Sequence, residues 1–420
     1  MLLNESVIES LPKGTLSRVA YHFSVGKRSV ERLWHAAKLA IRNGVPVDVS
    51  SKMVKKIGRK KIQIDFEMMK SIPYSRRTNI RSTTKALDMS KTTVHRRVKE
   101  GSIKAHSNAM KPGLKLSTKI PRLKHCLSMV DESLSPAKFH AMYNRIHIDE
   151  KWFYMSKTLQ KYYLHPLEEE PLRTCHSKRF LPKIMFLSAV ALPRFDAAGN
   201  VIFDGKIGIR AFVFMVAAQR TSKNRVAGTI EMRPMKSVTK IVTRSFLIEK
   251  LLPAIKQKWP HDGSTIFVQQ DNAKPHISIT DREFCEAVRQ SGMDVQMCFQ
   301  PANSPDLNTN DLGFFRSINE HQHVYAPNTV LELVRGVGKA YDEYSPDLLN
   351  RIFLTLQTCM VEIMKRGGNN YHIPHMNKER LIRLNQLPTC IECEDEVLNA
   401  GKEALQALIQ KVNEARRLAN

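Results

Sequence analysis

The chain has 420 residues, of which 42% are hydrophobic and 25% charged, which is typical of a folded globular protein and excludes wholesale disorder. No run of 18 apolar residues occurs, which excludes a membrane-spanning helix, and the first residues lack the pattern of a secretory signal. The 66 Lys and Arg residues against 40 Asp and Glu residues give a net charge of +26, which indicates a polyanionic partner.

This charge is concentrated near the N-terminus. Residues 1–125 contain 28 basic and 8 acidic residues, whereas the remaining 295 residues contain 38 basic and 32 acidic residues. The asymmetry predicts an N-terminal module that binds phosphate backbones, followed by one or two further domains.

Residues 15–38 predict a first helix-turn-helix unit. Apolar residues at helical spacing form one stripe before Gly26 and a second stripe after it, and Ser29 is a candidate cap of the second helix. Arg28 and Arg32 on that helix are candidate DNA-binding residues.

Residues 78–100 predict a second unit of the same kind. A helix over 78–87 is followed by a turn, and Ser90 precedes a second helix that buries Val94 and Val98. Hydroxyl and basic side chains at the start of a helix suit a reader of the major groove, because base edges and phosphates both offer acceptors. The candidate DNA-binding residues are Lys91, Thr92, Thr93, His95, Arg96 and Arg97. The alternative is a solvated basic helix in a bundle. The two units together define a paired helix-turn-helix region over residues 1–105.

A basic Gly-Arg segment at 55–61 joins the two units. Arg59, Lys60 and Lys61 are candidates for minor-groove contact, but a nuclear-localisation patch or a solvated linker explains the segment equally well. Residues 106–143 are predicted to be a second linker, in which prolines and a glycine stand among lysines over 107–121, and residues 123–144 are predicted to be helical apart from a break at Ser135-Pro136.

From residue 144 the pattern changes to alternating strands and helices, which indicates an α/β layered domain over 144–325. Strands are predicted at 145–149, 161–164, 183–192, 264–270 and 294–299. Helices are predicted at 243–258 and 281–290, and residues 194–237 are predicted to be an irregular insertion. Residues 326–420 are predicted to be a C-terminal helical region.

Three acidic residues form a candidate catalytic and metal-binding set. Asp149 follows an apolar run, Asp271 ends one, and Asp311 stands where a turn-rich segment becomes helical. Open α/β sheets place ligand sites at strand ends, and converging carboxylates repel each other unless a cation neutralises them. Oxygen ligands favour Mg²⁺ or Mn²⁺, and two such ions would activate an attacking water or hydroxyl at phosphorus. Each Asp taken singly could equally be a helix cap or turn residue.

The segments around these acids resemble the catalytic blocks of Tc1/mariner transposases. The matching segments are HIDEKWF at 147–153, QQDNAKPH at 269–276, and NSPDLN at 303–308 followed by DLGFF at 311–315. The 39 residues between Asp271 and Asp311 resemble the plant-type mariner-like branch. Asp306 competes for the third position, but Asp311 is the residue that matches the family motif. The chain departs from the family in having Pro301-Ala302 where two prolines are usual.

The resemblance implies a ribonuclease H-like catalytic core and cut-and-paste DNA transposition. Asp149, Asp271 and Asp311 would hold two Mg²⁺ or Mn²⁺ ions, and Asn272 and His276 would shape the site, although a purely structural His276 is an equal alternative. The implied partners are the terminal inverted repeats, the target DNA and a second copy of the chain or a larger synaptic assembly, in the nucleus. The chain starts close to the first unit, so we expect some N-terminal sequence to be missing. Rival hypotheses are a transposase-derived DNA-binding protein without catalytic activity, and a nuclease that does not join strands.

The seven cysteines are odd in number and scattered, which favours a reducing compartment. Two of them, Cys390 and Cys393, follow His372 and His375 at spacings that allow a zinc site. Because Pro374 separates the histidines, an unligated surface segment is the favoured interpretation.

Overall fold

A computed structural model describes residues 2, 10–48, 62–106, 111–156, 164–172, 174, 181–223, 225–260, 262–325, 327–371, 373, 376–384 and 386–419. The chain divides into two compact units, Met1–Ala109 and Met110–Asn420. In the part that the structure describes, no helix is both long and apolar enough to cross a membrane. The six cysteines described there are all free thiols.

The first unit is all-helical. Its α-helices are Thr15–His22 (α1), Lys27–Arg42 (α2), Phe66–Ser71 (α3), Ile80–Leu87 (α4) and Lys91–Lys99 (α5). Helices α1 and α2 pack through Val19, Ala20 and Val30. The predicted Ser29 cap is wrong, because α2 begins at Lys27 after Gly26.

Helices α3, α4 and α5 form a second small core. Ile64, Val94 and Ile103 are its buried centre. The Ser90 hydroxyl accepts a hydrogen bond from the Thr93 N–H at 3.2 Å, so Ser90 caps α5 as predicted. This cap satisfies an N–H group that has no partner within the helix.

The second unit begins with a helix in the segment that is predicted to be a linker. Leu116–Leu127 (α6) contains Pro121, and its Leu123 and Cys126 are fully buried. The short strands Val130–Asp131 (β1) and Lys138–Phe139 (β2) then pair antiparallel. The linker prediction is wrong for 116–139, because burial of the apolar face of α6 outweighs the local cost of its proline. The helix predicted at 123–144 is correct only as far as Leu127, since β1 and β2 follow.

A five-stranded sheet forms the centre of the second unit. The strands that come after β2 are Arg145–Tyr154 (β3), Lys183–Ala191 (β4), Arg194–Phe195 (β5), Val201–Phe203 (β6), Lys206–Ala211 (β7), Val213–Ala217 (β8), Ile230–Pro234 (β9), Ile266–Gln270 (β10) and Val295–Phe299 (β11). The central sheet has the order β11-β10-β3-β4-β7, in which β10 is parallel to β3 and β11, and β4 is antiparallel to β3 and β7. Strands β5–β6 and β8–β9 form separate hairpins.

The region predicted to be an irregular insertion therefore contains an edge strand of the central sheet. In β7, Ile207 is fully buried, and the strand pairs with β4 from Phe186↔Ala211 to Val190↔Lys206. Gly208 and the charged Lys206 and Arg210 interrupt its apolar pattern, which explains why the sequence does not indicate a strand here.

Helices cover both faces of this sheet. The remaining α-helices are Lys240–Phe246 (α7), Leu252–Lys258 (α8), Arg282–Ser291 (α9), Phe315–Gln322 (α10), Val330–Asp342 (α11), Pro346–Lys365 (α12), Lys378–Arg383 (α13) and Asp395–Ala419 (α14). A wider turn of π-helix, Leu247–Leu251, joins α7 to α8. One face packs in a core with α7, α8 and α9, and the opposite face packs with α6, α10, α11, α12 and α14.

The C-terminal helices are thus part of the second unit's main core. Leu349, Leu356 and Ile363 on α12 are fully buried in the same core as Phe153 of β3. The boundary predicted at residue 326 does not separate two cores, because the sheet needs these helices to cover its second face.

Candidate functional site

The three predicted acids come from three neighbouring elements. Asp149 lies in the middle of β3, Asp271 comes directly after the last residue of β10, and Asp311 lies in a π-helical turn, Asn310–Phe314. The parallel pairing of β10 with β3 sets Gln269 opposite His147, so Asp271 is level with Asp149. The prediction that Asp149 lies near a strand end is wrong, because β3 continues to Tyr154.

Asp149 and Asp311 are in direct contact. Their carboxyl groups are within hydrogen-bonding distance of each other. Burial raises the pKa of Asp149 well above its usual range, and the charges of Asp311 and Glu150 raise it further. Burial also raises the pKa of Asp311, although the hydrogen bond with Asp149 and the charge of Lys151 act in the opposite direction. Asp149 is half-buried and Asp311 is exposed, and two carboxyl groups at this distance need a shared proton or a cation between them.

Asp271 is held from the opposite side by a histidine bridge. His276 Nδ1 lies 2.7 Å from Asp271 Oδ1, and its Nε2 lies 2.9 Å from Glu150 Oε2. Burial alone would lower the pKa of His276, but the hydrogen bonds to these two carboxylates outweigh burial and raise it to about 11. The same hydrogen bond lowers the pKa of Asp271. His276 is therefore a cation that orients Asp271, and one face of the Asp271 carboxylate stays exposed.

Sequence reasoning does not single out Glu150, which completes this bridge. Successive residues of a strand point to opposite faces, so Asp149 and Glu150 reach different partners. Asp149 meets Asp311 on the face covered by α10 and α12, whereas Glu150 meets His276 on the face covered by α7, α8 and α9. The alternation along β3 is the signal that could have indicated it.

Buried amides hold the loop before Asp311 against the strands. Asn308 Nδ2 donates to Asp149 Oδ2 at 3.1 Å, and Asn310 Nδ2 donates to the His147 carbonyl at 3.1 Å. Gln269 Nε2 donates to the Leu307 carbonyl at 2.8 Å. All three amide side chains are almost completely buried, so they fix the position of the π-helical turn. Asn272, a predicted support residue, donates to the Gln300 carbonyl at 2.7 Å and so positions the loop after β11.

Asp306, the competitor of Asp311, is used elsewhere. Both of its carboxylate oxygens accept hydrogen bonds from Arg122 at 2.8 Å. Arg122 is only 1% exposed and also donates to the Gly368 carbonyl. A carboxylate with both oxygens engaged by a buried guanidinium is a structural anchor for α6.

Trp152 and Phe153, which follow each other on β3, differ in burial. Phe153 is fully buried, whereas Trp152 is half-buried with Lys183 Nζ 4.3 Å from its ring centroid. The two side chains lie on opposite faces of β3, and only that of Phe153 lies under the helices.

The acids fit a hard divalent cation only in part as they stand. In the described ranges, no three His, Cys, Asp or Glu side chains are gathered as a ready-made metal site. The contact between Asp149 and Asp311 nevertheless supplies two oxygen ligands at one point, which is the donor set that Mg²⁺ and Mn²⁺ prefer. Asp271 acts on Asp311 through its charge, so a third carboxylate lies near this pair.

The predicted DNA-binding residues are mostly exposed. Arg28 and Arg32 are exposed on α2, and Thr93 is half-buried beside its hydrogen-bond partner Ser90. Arg59, Lys60 and Lys61 lie outside the described residues. The remaining exposed residues are on α5: Lys91, Thr92, His95 and Arg96.

Arg97 is a correction to this set. Its side chain is buried, and its guanidinium donates to the Ile62 carbonyl and to Glu100. It faces inward because three residues separate it from Val94, which places both side chains on the buried face of α5. Arg97 therefore anchors the chain that precedes α3 and does not face DNA.

The candidate zinc ligands receive no support from the described residues. Cys393 is buried in the core of the second unit, and its backbone N–H donates to the Ala137 carbonyl. Cys390 is half-buried, while His372 and His375 lie outside the described residues.

Comparisons with known proteins agree with this architecture. One family model, a domain of unknown function (DUF7769), matches residues 1–44. No curated protein sequence matches the chain. Similar solved structures include a pre-cleavage Mos1 transpososome, with 16% identity and a TM-score of 0.50 over 86% of this chain and 100% of that chain.

Two further similar structures are the mariner Mos1 paired-end complex with Mg and the Mos1 strand transfer complex. The first has 16% identity and a TM-score of 0.49 over 85% of this chain and 92% of that chain. The second has 17% identity and a TM-score of 0.46 over 86% of this chain and 100% of that chain. The likeness to the pre-cleavage structure shows the fold, a ribonuclease H-like α/β core preceded by an all-α region.

Proposed function

We propose that this protein is a DNA transposase of the Tc1/mariner superfamily, of the plant-type mariner-like branch. The observation that carries the proposal is the contact between the carboxyl groups of half-buried Asp149 and exposed Asp311, next to Asp271 at the end of the neighbouring strand. A fold that holds two carboxyl groups together at a cost in free energy favours a cation-dependent role for them. The likeness in fold to a Mos1 transpososome supports the same reaction class.

In this proposal Asp149, Asp271 and Asp311 would hold two Mg²⁺ or Mn²⁺ ions. When bound, such ions activate an attacking water or 3′-hydroxyl and stabilise the leaving oxygen at phosphorus. Asn308 orients Asp149 through its hydrogen bond, and His276 orients Asp271. The exposed basic residues of α2 and α5 would bind the terminal inverted repeats, so that binding and chemistry reside in different units.

The proposal extends to assembly and location. Two transposon ends must be cut together, so we propose a homodimer or larger synaptic complex that acts on target DNA in the nucleus. These parts rest on the reaction class alone.

The test is cleavage of a duplex taken from the DNA that flanks the coding sequence and carries the terminal repeat. We expect the wild type to cut at the repeat end only with Mg²⁺ or Mn²⁺, and Asp271→Ala to bind the duplex but not to cut it. Asp347→Ala is the matched control, because Asp347 is an exposed acid on α12. Joining of the cut end to a second duplex would separate a transposase from a nuclease.

The second candidate is a transposase-derived DNA-binding protein without catalytic activity. The observation that favours it is the arrangement of the acids, since the described residues offer no ready-made three-ligand site and His276 engages Asp271. Tight, salt-sensitive binding of the repeat by the wild type, without cutting in either metal, would support this candidate and refute the first.

A further inference from the structure

The hairpin formed by β8 and β9 projects from the central sheet. Its strands pair from Val213↔Pro234 to Ala217↔Ile230. Met215 is 60% exposed and Ile230 is 61% exposed, so the second unit does not cover this face of the hairpin. Five paired residues span about 17 Å.

This hairpin leaves the sheet at the end of the strands near which the candidate acids lie. Strand β7 is parallel to β3, because both are antiparallel to β4. Its last residue, Ala211, pairs with Phe186, which in turn pairs with Lys151, two residues beyond Asp149. Two strand spacings separate β7 from β3, so the hairpin begins about 10 Å from the strand that carries Asp149.

The hairpin carries a local excess of positive charge. Beyond residue 125 the net charge is +6, and residues 213–236 alone contain five basic residues and one acidic residue, a net of +4. The other 271 residues of that part of the chain are close to neutral. Residues 240–258 carry the same net charge of +4, but the hairpin leaves the sheet beside the candidate acids, and an exposed basic projection at that place indicates a polyanionic partner.

The charges at the tip are available for such a partner. Arg225 and Arg233 both pair with Glu231. Arg220 and Lys223 are exposed, and neither forms an ion pair with any residue that the structure describes. Hydrogen bonds such as Ser222 N–H to the Arg225 carbonyl and Gly228 N–H to the Ala218 carbonyl, both at 2.8 Å, tie the described residues of the tip to each other. A preorganised loop loses less conformational entropy when it binds.

We infer that the β8–β9 hairpin is an arm that grips the DNA duplex at the point of cleavage, with Arg220 and Lys223 on its phosphates. The inference rests on the proposed function. A two-stranded ribbon fits a major groove, which is about 12 Å wide, and the arm is long enough to cross it. The DNA that the arm would bind is the flanking DNA beside the cut in the active site. It is neither the repeat, which the first unit would bind, nor the target DNA.

The experiment compares two duplexes in metal-free buffer, one ending at the repeat and one continuing about 20 base pairs into the flanking DNA (roughly two helical turns). We expect Arg220→Ala/Lys223→Ala in the full chain to bind the flank-bearing duplex about tenfold more weakly, with a salt slope reduced by about two. Binding of the repeat-only duplex should not change. Arg220→Lys should retain wild-type binding, because the charge remains.

Lys256→Ala/Lys258→Ala is the matched control. These two exposed lysines lie at the end of α8. Lys258 donates to the carbonyl of Lys206, the first residue of β7, so they lie at the opposite end of that strand from the hairpin. The control should bind both duplexes as the wild type does, and equal thermal unfolding of both variants would exclude misfolding.

Three results would overturn the inference. The first is unchanged binding of the flank-bearing duplex by the tip variant. This result would overturn the inference even if the variant joined ends to target DNA poorly, because the arm would then bind a different duplex. An equal loss on both duplexes would also overturn it. A wild type that binds neither duplex would overturn both the inference and the proposed function, whereas normal binding with no metal-dependent cutting would refute only the proposed function.

Discussion

Asp306 and Asp311 lie five residues apart and have opposite surroundings. Asp306 is neutralised by a buried guanidinium that engages both of its oxygens, whereas Asp311 is pressed against another carboxyl group. The first arrangement stabilises the fold, and the second costs free energy that only a proton or a bound cation offsets.

This contrast predicts opposite effects of the same substitution. Asp306→Asn should lower the free energy of unfolding by about 3 kcal/mol, because Arg122 loses its counter-charge in a buried site. Asp311→Asn should leave the stability of the metal-free protein unchanged or raise it, and should abolish metal-dependent cutting. Urea unfolding of both variants, with Asp347→Asn as the control, measures the difference in the free energy of unfolding. A neutral Asp306→Asn together with a destabilised Asp311→Asn would contradict our assignment of the third acid.

The sequence indicates which acidic residues belong to the candidate site, but not which side chains contact one another there. Asp149, Asp271 and Asp311 stand out because they come after apolar runs or a turn-rich segment in a basic chain. The bridge from Glu150 to His276 spans 126 positions, and no local pattern indicates such a contact. The prediction for Arg97 is wrong for a related reason, since a long side chain on a buried face can satisfy itself on a backbone carbonyl.

At the scale of a single element, α5 depends on its cap. We predict that Ser90→Ala lowers the free energy of unfolding of the first unit by about 1 kcal/mol, because the Thr93 N–H loses its acceptor. Ser90→Asp should retain stability, since aspartate caps helices equally well. Thermal unfolding checks this, and equal destabilisation by both substitutions would mean that the hydroxyl has another role.

Helices α7 and α9 are joined by an ion pair whose strength depends on pH. Arg244 donates from Nη2 to Asp281 Oδ2 at 2.8 Å, and Asp281 also caps α9. Burial alone would raise the pKa of Asp281, but the hydrogen bonds and charge of Arg244 outweigh burial and lower it. The stabilisation is therefore fully present above the unfolded-state pKa of about 3.9 and is lost as pH falls through the lower folded-state pKa.

We predict that Asp281→Asn, which keeps the cap, costs about 2 kcal/mol at pH 7. The difference in unfolding free energy from the wild type should shrink below about pH 4, as the native carboxylate becomes protonated. Denaturant unfolding between pH 3 and pH 7 (roughly the window set by these pKa values) measures it. The control is Glu283→Gln, because Glu283 meets the same arginine but is 68% exposed. A difference that does not vary with pH would rule out the ion pair as its source.

Most elements could be predicted from hydrophobic periodicity, and the misses share a physical cause. The strand predicted at 145–149 is too short because Asp149, Glu150 and Lys151 interrupt the apolar pattern where the site lies. Only the last residues of α6 fall within the helix predicted at 123–144, because its proline argues locally against the earlier part, and tertiary burial of Leu123 and Cys126 decides in favour of the whole helix. Periodicity cannot report contacts that form only once the chain is folded.

For the whole molecule, the division into two units predicts that binding and chemistry can be impaired separately. Arg96→Ala on α5 should weaken binding of the repeat by about tenfold, with the rate of cutting of the bound duplex unchanged. Asp271→Ala should do the reverse. Titration by fluorescence anisotropy and single-turnover cleavage on the same duplex separate the two quantities. Loss of both quantities in Arg96→Ala would mean that α5 takes part in assembling the active site.

The π-helical turn at Asn310–Phe314 affects how related chains should be aligned. Its hydrogen bonds close over five residues where those of an α-turn close over four, and the backbone is extended at Gly313, so the additional residue is accommodated by a kink just before the next helix. A homologue with one residue fewer between its second and third acids could present the third carboxylate at the same place from an ordinary helical turn. Spacing counts that define branches of a superfamily therefore record the local winding of one turn as well as descent, and structure-based alignment at this turn is the safer guide to classification.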